Sequence, residues 1–172
     1  MKIEIKYNSQ KDEFTNDLSL EMRLTKYIKN HFYPAYIISM LAPTYLLGGA
    51  IRDLIDAKHP KDLDFVILGD ENKSWMLEVL NKFNIKYQQN KLGGLKFKYQ
   101  DTIVDMWTSD DLFASIQYNI DGLLFELNTN KLISLTFNDY QEQGLIEVNK
   151  QNNIQNGREE KLKVFTRKHQ KK

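Results

Sequence analysis

Cysteine is absent from this 172-residue sequence, so no disulfide framework supports the fold, and a reducing, cytoplasmic setting is expected. Net charge is nearly absent too. The 24 Lys and Arg against 23 Asp and Glu leave +1, so contact with a polynucleotide must come from a local patch rather than the average surface field. The three histidines, His31, His59 and His169, lie far apart with no ligand spacing, and a zinc site is not expected. Long hydrophobic runs are also missing. The longest apolar stretch, residues 36–47, is interrupted by Ser39, Pro43 and Thr44 and is too short to cross a bilayer. The N-terminal MKIEIKYNSQ lacks the continuous apolar core of a signal peptide. These absences set the expectation of a cytoplasmic protein with no membrane partner.

What remains is ordinary globular material. Apolar residues make up 41% and charged residues 27%, which argues against disorder or a fibrous repeat over most of the length. The length suits one domain with appendages. Lys2 to Tyr7 alternates apolar and polar residues, and from about Asp12 the spacing of Phe14, Leu18, Met22, Leu24 and Ile28 predicts an amphipathic helix. A second apolar segment runs to Leu41 and is broken by Pro43. Tyr45-Leu46-Leu47 then reads as a short buried strand delivering Gly48-Gly49, with helix pattern from Ala50 to Ile55.

Leu63 to Leu68 predicts a central strand stopped by Gly69. Asp70 or Asn72 caps a following helix whose core face is Trp75, Leu77, Val79, Leu80 and Phe83. Strand character at Ile85 to Gln88, Leu95 to Tyr99 and Ile103 to Trp107 predicts an antiparallel set. Ser109 stands where an N-cap would, ahead of Asp110 and Asp111, and Phe113, Ile116 and Ile120 mark a helix. Between Lys131 and Val148 two strand-like runs flank a polar turn from Asn138 to Gly144. The expected domain covers residues 1–150, and residues 151–172 form a linker and a basic tail or helix. From Gly157 onward that tail carries seven Lys or Arg against two Glu, a solvated end or a set of phosphate contacts.

The chemistry rests on acids in strands. In Lys61-Asp62-Leu63-Asp64-Phe65 the two aspartates are two apart and project from one face, because strand side chains alternate. Asp105 stands in another strand, bracketed by Ile103, Val104, Met106 and Trp107, where an uncompensated charge is costly. Three converging acids make an oxygen-rich site suited to Mg²⁺, which completes its shell with water and phosphate oxygens. Upstream, Gly48-Gly49 opens a helix where bare backbone N–H groups can meet a triphosphate, and Arg52 can neutralise phosphate charge. Trp75 and Trp107 fit core positions better than a stacking platform. Lys91, Lys96 and Lys98 either line a phosphate path or protect a sheet edge.

Taken singly these are common motifs; their order and spacing are not. LLGGAIRDLI, then KDLDFVIL, then IVDMW resembles the nucleotidyltransferase superfamily, and most closely the head domain of bacterial CCA-adding enzymes and poly(A) polymerases. That resemblance, covering about Tyr45 to Val148, implies an α/β (α+β) DNA polymerase beta-like nucleotidyltransferase fold with a mixed central sheet flanked by helices. It implies nucleotide binding by Gly48, Gly49, Arg52 and Asp53, and two Mg²⁺ ions held by the catalytic acids Asp62, Asp64 and Asp105. The Arg-Arg-Asp segment of tRNA-modifying members has no basic counterpart in Ser115-Ile116-Gln117-Tyr118-Asn119-Ile120-Asp121. Their helical neck, body and tail domains have no counterpart in the roughly twenty residues after Val148. A stand-alone transferase is therefore expected, using a nucleoside triphosphate and either an RNA or tRNA 3′ end or a small molecule or protein side chain as acceptor. A protein partner would then supply acceptor recognition. A different class of reading is a nucleotide-binding regulatory module that keeps the fold without turnover.

Overall fold

A computed structural model describes residues 19–149. The alternation of Lys2 to Tyr7, the helical pattern before Ser19 and the linker and basic tail after Asn149 lie outside the described residues. Helix α1 (Leu20–His31) starts where the Ser19 hydroxyl accepts the Met22 amide at 3.2 Å, with Glu21 in the first turn and Lys29 and His31 in the last. Those placements match the helix's end charges. Its buried stripe is Leu24 and Ile28. Pro34 then sits at the start of α2 (Pro34–Ser39), where a missing N–H costs nothing.

The rest of the chain follows as β1 (Thr44–Leu47), α3 (Gly48–Ile55), β2 (Asp62–Leu68), α4 (Lys73–Lys82), β3 (Gln88–Gln89), β4 (Leu95–Tyr99), β5 (Thr102–Ser109), β6 (Leu123–Glu126), β7 (Lys131–Ser134) and α5 (Phe137–Gln143). The strands form one seven-stranded sheet in the order β3-β4-β5-β2-β1-β6-β7. Only β2 and β5 run parallel; the other neighbouring pairs are antiparallel. This is the mixed sheet with flanking helices that the sequence led us to expect.

Alternation along β2 decides which face does what. Leu63, Phe65 and Ile67 are fully buried in the main core with Leu24, Ile28, Phe32, Ile38, Ile51, Met76 and Val79 from the helical layer. Full burial of each large apolar side chain is worth about 1.5–3 kcal/mol. The opposite face carries Asp62, Asp64, Val66 and Leu68, and only a small apolar cluster of Tyr45, Val66 and Leu124, edged by Trp107, Leu112 and Ile133. Among the described residues no helix is long and apolar enough to cross a membrane.

Several expectations need correction. Residues 85–88 were to be a strand, but Asn84 turns left-handed at φ 55°, the Ile85 amide closes onto the Leu80 carbonyl at 3.0 Å, and buried Ile85 seals the end of α4. Only Gln88 and Gln89 pair with β4. The helix from Ser109 to Ile120 is instead two 3-10 turns, Leu112–Ser115 and Asn119–Asp121, with extended backbone at Ile116. Ser109 stays in β5 opposite Leu68, and Asp111 is the cap, accepting the Phe113 amide at 3.0 Å.

The polar turn at Asn138 to Gly144 is α5, anchored by buried Phe137 against Tyr140 and ended by Gly144 at φ 84°. Of the second strand-like run, only Glu147 bridges, to Tyr118. Strand β6 was not anticipated, and α3 begins at Gly48 rather than Ala50.

Candidate metal centre

The site follows from strand register. Asp64 stands opposite Asp105, and Asp62 opposite Ile103, in the parallel β2–β5 ladder. All three aspartates therefore point from the same face, and one carboxylate oxygen of each lies within 4.8 Å of the others. Asp62 is exposed, while Asp64 and Asp105 are half-buried. Among the described residues this is the only group of three or more His, Cys, Asp or Glu with that geometry. Three like charges so close repel one another, an arrangement that cations relieve. Three hard carboxylate oxygens, with Asp62 exposed to solvent, fit Mg²⁺ or a similar divalent ion by donor chemistry.

Strand β1 brings the glycines to the acids. Leu46 pairs with Phe65 in the antiparallel ladder, so Leu47 reaches the level of Asp64 and α3 opens beside the acid pair. No side chain caps this helix start. The two glycines differ in role. A Cβ on Gly48 would lie 3.1 Å from the Leu123 carbonyl and 3.2 Å from Arg52 Nη1, so this residue lets α3 pack closely against β6. A Cβ on Gly49 would meet only Arg52 Nη2, at 4.0 Å, which leaves room there for a ligand's approach to backbone.

Arg52 and Asp53 part company. Arg52 Nη1 donates to the Ile120 carbonyl at 2.9 Å and to Asp121 Oδ1 at 3.3 Å, tying α3 to the 3-10 turn ahead of β6. Its other Nη faces Gly49. Asp53, one residue on and about 100° around the helix, acts on α1: burial first, then the Asp53 charge, raises the pKa of the Tyr27 hydroxyl. The sequence reading missed Asp121 as the partner that orients Arg52, since nothing local links residues 69 apart.

The turn holding Asp121 is itself pinned. Buried Asn119 donates to the Gly144 carbonyl at 2.8 Å and accepts the Ile146 amide at 2.9 Å. Beyond the acids on the same face, the row Trp107, Val66, Tyr45, Glu126 follows from the pairings. Trp107 donates to Ser115 Oγ at 3.0 Å and packs, half-buried, against the small apolar cluster of this face. Burial, then the hydrogen bond and charge of Glu126, push Tyr45 up to about 12, so its hydroxyl stays protonated at neutral pH and is no general base.

Two of the histidines come closer in space than their separation in sequence suggests. Sequence separation hid a cluster in which the rings of His31 and His59 lie 5.3 Å apart and the Tyr27 hydroxyl meets His59 Nδ1 at 2.7 Å.

No protein-family model and no curated protein matches the chain. Solved structures do. A Thermotoga maritima CCA-adding enzyme complexed with tRNA superposes with a TM-score of 0.55 at 16% identity, over 79% of this chain and 34% of that one. A CCA-adding enzyme in complex with ATP gives 0.53 at 15% identity over 87% and 38%. A tRNA-processing enzyme in an apo form gives 0.52 at 18% identity over 71% and 38%. The chain thus spans little more than a third of the length of these structures. At such identity the likeness is one of architecture, and the chain has the nucleotidyltransferase fold, similar to the corresponding part of CCA-adding and other tRNA-processing enzymes.

Proposed function

We propose that this protein is a nucleotidyltransferase that moves a nucleoside monophosphate from a nucleoside triphosphate to a hydroxyl acceptor, releasing pyrophosphate. The observation that carries the proposal is the meeting of Asp62, Asp64 and Asp105 within 4.8 Å on the open sheet face. Beside them α3 presents an uncapped N-terminus. These three residues would hold two Mg²⁺ ions. Bound there, the ions would polarise the α-phosphate, lower the pKa of the acceptor hydroxyl and stabilise the departing pyrophosphate.

The chain's own residues do the positioning. First-turn amides of α3 at Gly48 and Gly49 face the triphosphate, and the Asp121 clamp holds Arg52 so that its second Nη lies beside Gly49 and adds positive charge there. Binding of ATP and CTP, and tRNA as a partner, are features of the structures this fold resembles; an RNA 3′ end is accordingly the leading acceptor class, ahead of a small molecule or protein.

A second reading has its own support. The stretch 115–121 carries no cation and its one carboxylate, Asp121, engages Arg52, which favours a nucleotide-binding module without turnover.

One experiment separates them. The full chain is incubated with each α-labelled triphosphate, Mg²⁺ and total cellular RNA, and label is counted in RNA, protein and small-molecule fractions. Label in one fraction, abolished by Asp64→Ala, is expected. Triphosphate binding without label in any fraction would establish the module instead.

A further inference from the structure

β4 puts two cations in line with the acids. Its Leu95 and Phe97 are buried, so Lys96 and Lys98 both project from the open face. In the antiparallel ladder Lys96 stands opposite Asp105 and Lys98 opposite Ile103. The parallel ladder extends the same two rows, from Asp105 to Asp64 and from Ile103 to Asp62. Two rows therefore cross the sheet: Lys96, Asp105, Asp64 and, beside it, Lys98, Ile103, Asp62.

Lys96 reaches the rim of the cluster, with Nζ 4.0 Å from Asp105 Oδ2 and the side chain 60% exposed. Lys98 lies two residues along, a step of about 6.8 Å at strand rise, comparable to the spacing of successive phosphates on an extended nucleic-acid strand. Between Lys98 and Asp62, Ile103 is 39% exposed and offers apolar surface to a sugar or base. With a net charge of +1, the molecule has no general field to attract a polyanion, so attraction has to come from local groups of cations, of which this pair is the one aligned with the acids.

We propose that Lys96 and Lys98 form a track for the backbone phosphates of a single-stranded polynucleotide whose terminal hydroxyl is the acceptor. This rests on the transferase reading above and narrows its acceptor: a small molecule would have no use for a second cation one phosphate farther out. Lysines on an outer strand also blunt edge pairing, and the test separates the two roles.

The measurement is fluorescence anisotropy of the full chain with a labelled single-stranded oligoribonucleotide in Mg²⁺, from about 50 to about 200 mM salt. Each phosphate contact contributes about 0.7 to the slope of log K against log salt for single strands. Lys98→Ser should flatten the slope by about 0.7 and the double variant Lys96→Ser/Lys98→Ser by about 1.4, with Lys98→Arg restoring most of the loss. Lys82→Ser removes an equal charge from α4, which packs on the covered face, and should leave the slope unchanged. An unaltered slope in the double variant, an equal effect of Lys82→Ser, or no binding by the unmodified chain would each overturn the track. So would label that passes only to protein or small molecules in the fractionation experiment, while leaving the transferase reading intact. The expected slope changes in a chain that labels no fraction would overturn the transferase reading, and with it the acceptor role of the bound strand, while leaving the phosphate contacts of the two lysines standing.

Discussion

The two faces of β2 hold alternate residues of one seven-residue strand and answer to different physics. Leu63, Phe65 and Ile67 are sealed under the helices, and their burial supplies stability. Asp62 and Asp64, with Asp105 from β5, gather like charge within 4.8 Å, a repulsion that bound cations would relieve. A strand in this position can afford its unfavourable face because the other one is so well packed. Activity and stability should therefore respond to opposite halves of the same strand.

The strongest way to break that separation is Phe65→Ala. It should cost about 3–5 kcal/mol in denaturant unfolding through the cavity it leaves, while divalent-ion affinity of the protein that remains folded stays close to that of the unmodified chain. Equal loss of ion binding at temperatures where the variant is folded would show that the faces are not independent.

A smaller effect sharpens the comparison at its margin. Asn119→Ala removes two hydrogen bonds from a buried amide and leaves the partner groups unsatisfied, a loss of about 1–3 kcal/mol. Because it loosens the turn that carries Asp121, it should also raise the KM for the triphosphate. A stability loss with no change in KM would remove the Arg52 clamp from the mechanism.

Far from either face, Ser19→Ala deletes the α1 cap and should cost about 1 kcal/mol with turnover unchanged.

The smallest effect concerns pH. Burial, and then the charge of His59, lower the His31 pKa, so the folded state favours its neutral form. That contribution is fully present above the ordinary histidine pKa of about 6.5 and is lost as pH falls through the depressed value. Thermal melts of the His31→Gln variant should show a shallower fall in stability below about pH 6.5 than the unmodified chain. Parallel curves would place the acid sensitivity elsewhere.

The site was legible in the sequence where its logic is local. Period-two alternation put Asp62 and Asp64 on one face, the apolar bracket around Asp105 marked a strand, and the glycine pair marked the β1–α3 junction. The sheet's β1, β2, β4 and β5 were legible for the same reason. What escaped depends on partners distant in the chain. Strand β6 is four residues, Leu123–Glu126, recognisable only by its pairing with β1 and β7. Helix α5 buries a single side chain, Phe137, too little to show a period. The bond from Arg52 to Asp121 and the meeting of His31 with His59 span 69 and 28 residues, separations on which hydrophobic patterning is silent.

The central claim is that the acidic face is a catalytic metal centre and not an unfavourable remnant. It is tested most directly by pyrophosphate release from γ-labelled triphosphate, measured together with thermal melts, for the unmodified chain and for Asp64→Asn. Release that requires Mg²⁺, falls by at least about 10³-fold in the variant, equivalent to roughly 4 kcal/mol of transition-state stabilisation, and is accompanied by an unchanged or raised melting temperature is the expected result. Release that survives in Asp64→Asn, or that is lost only in step with the fold, would contradict it.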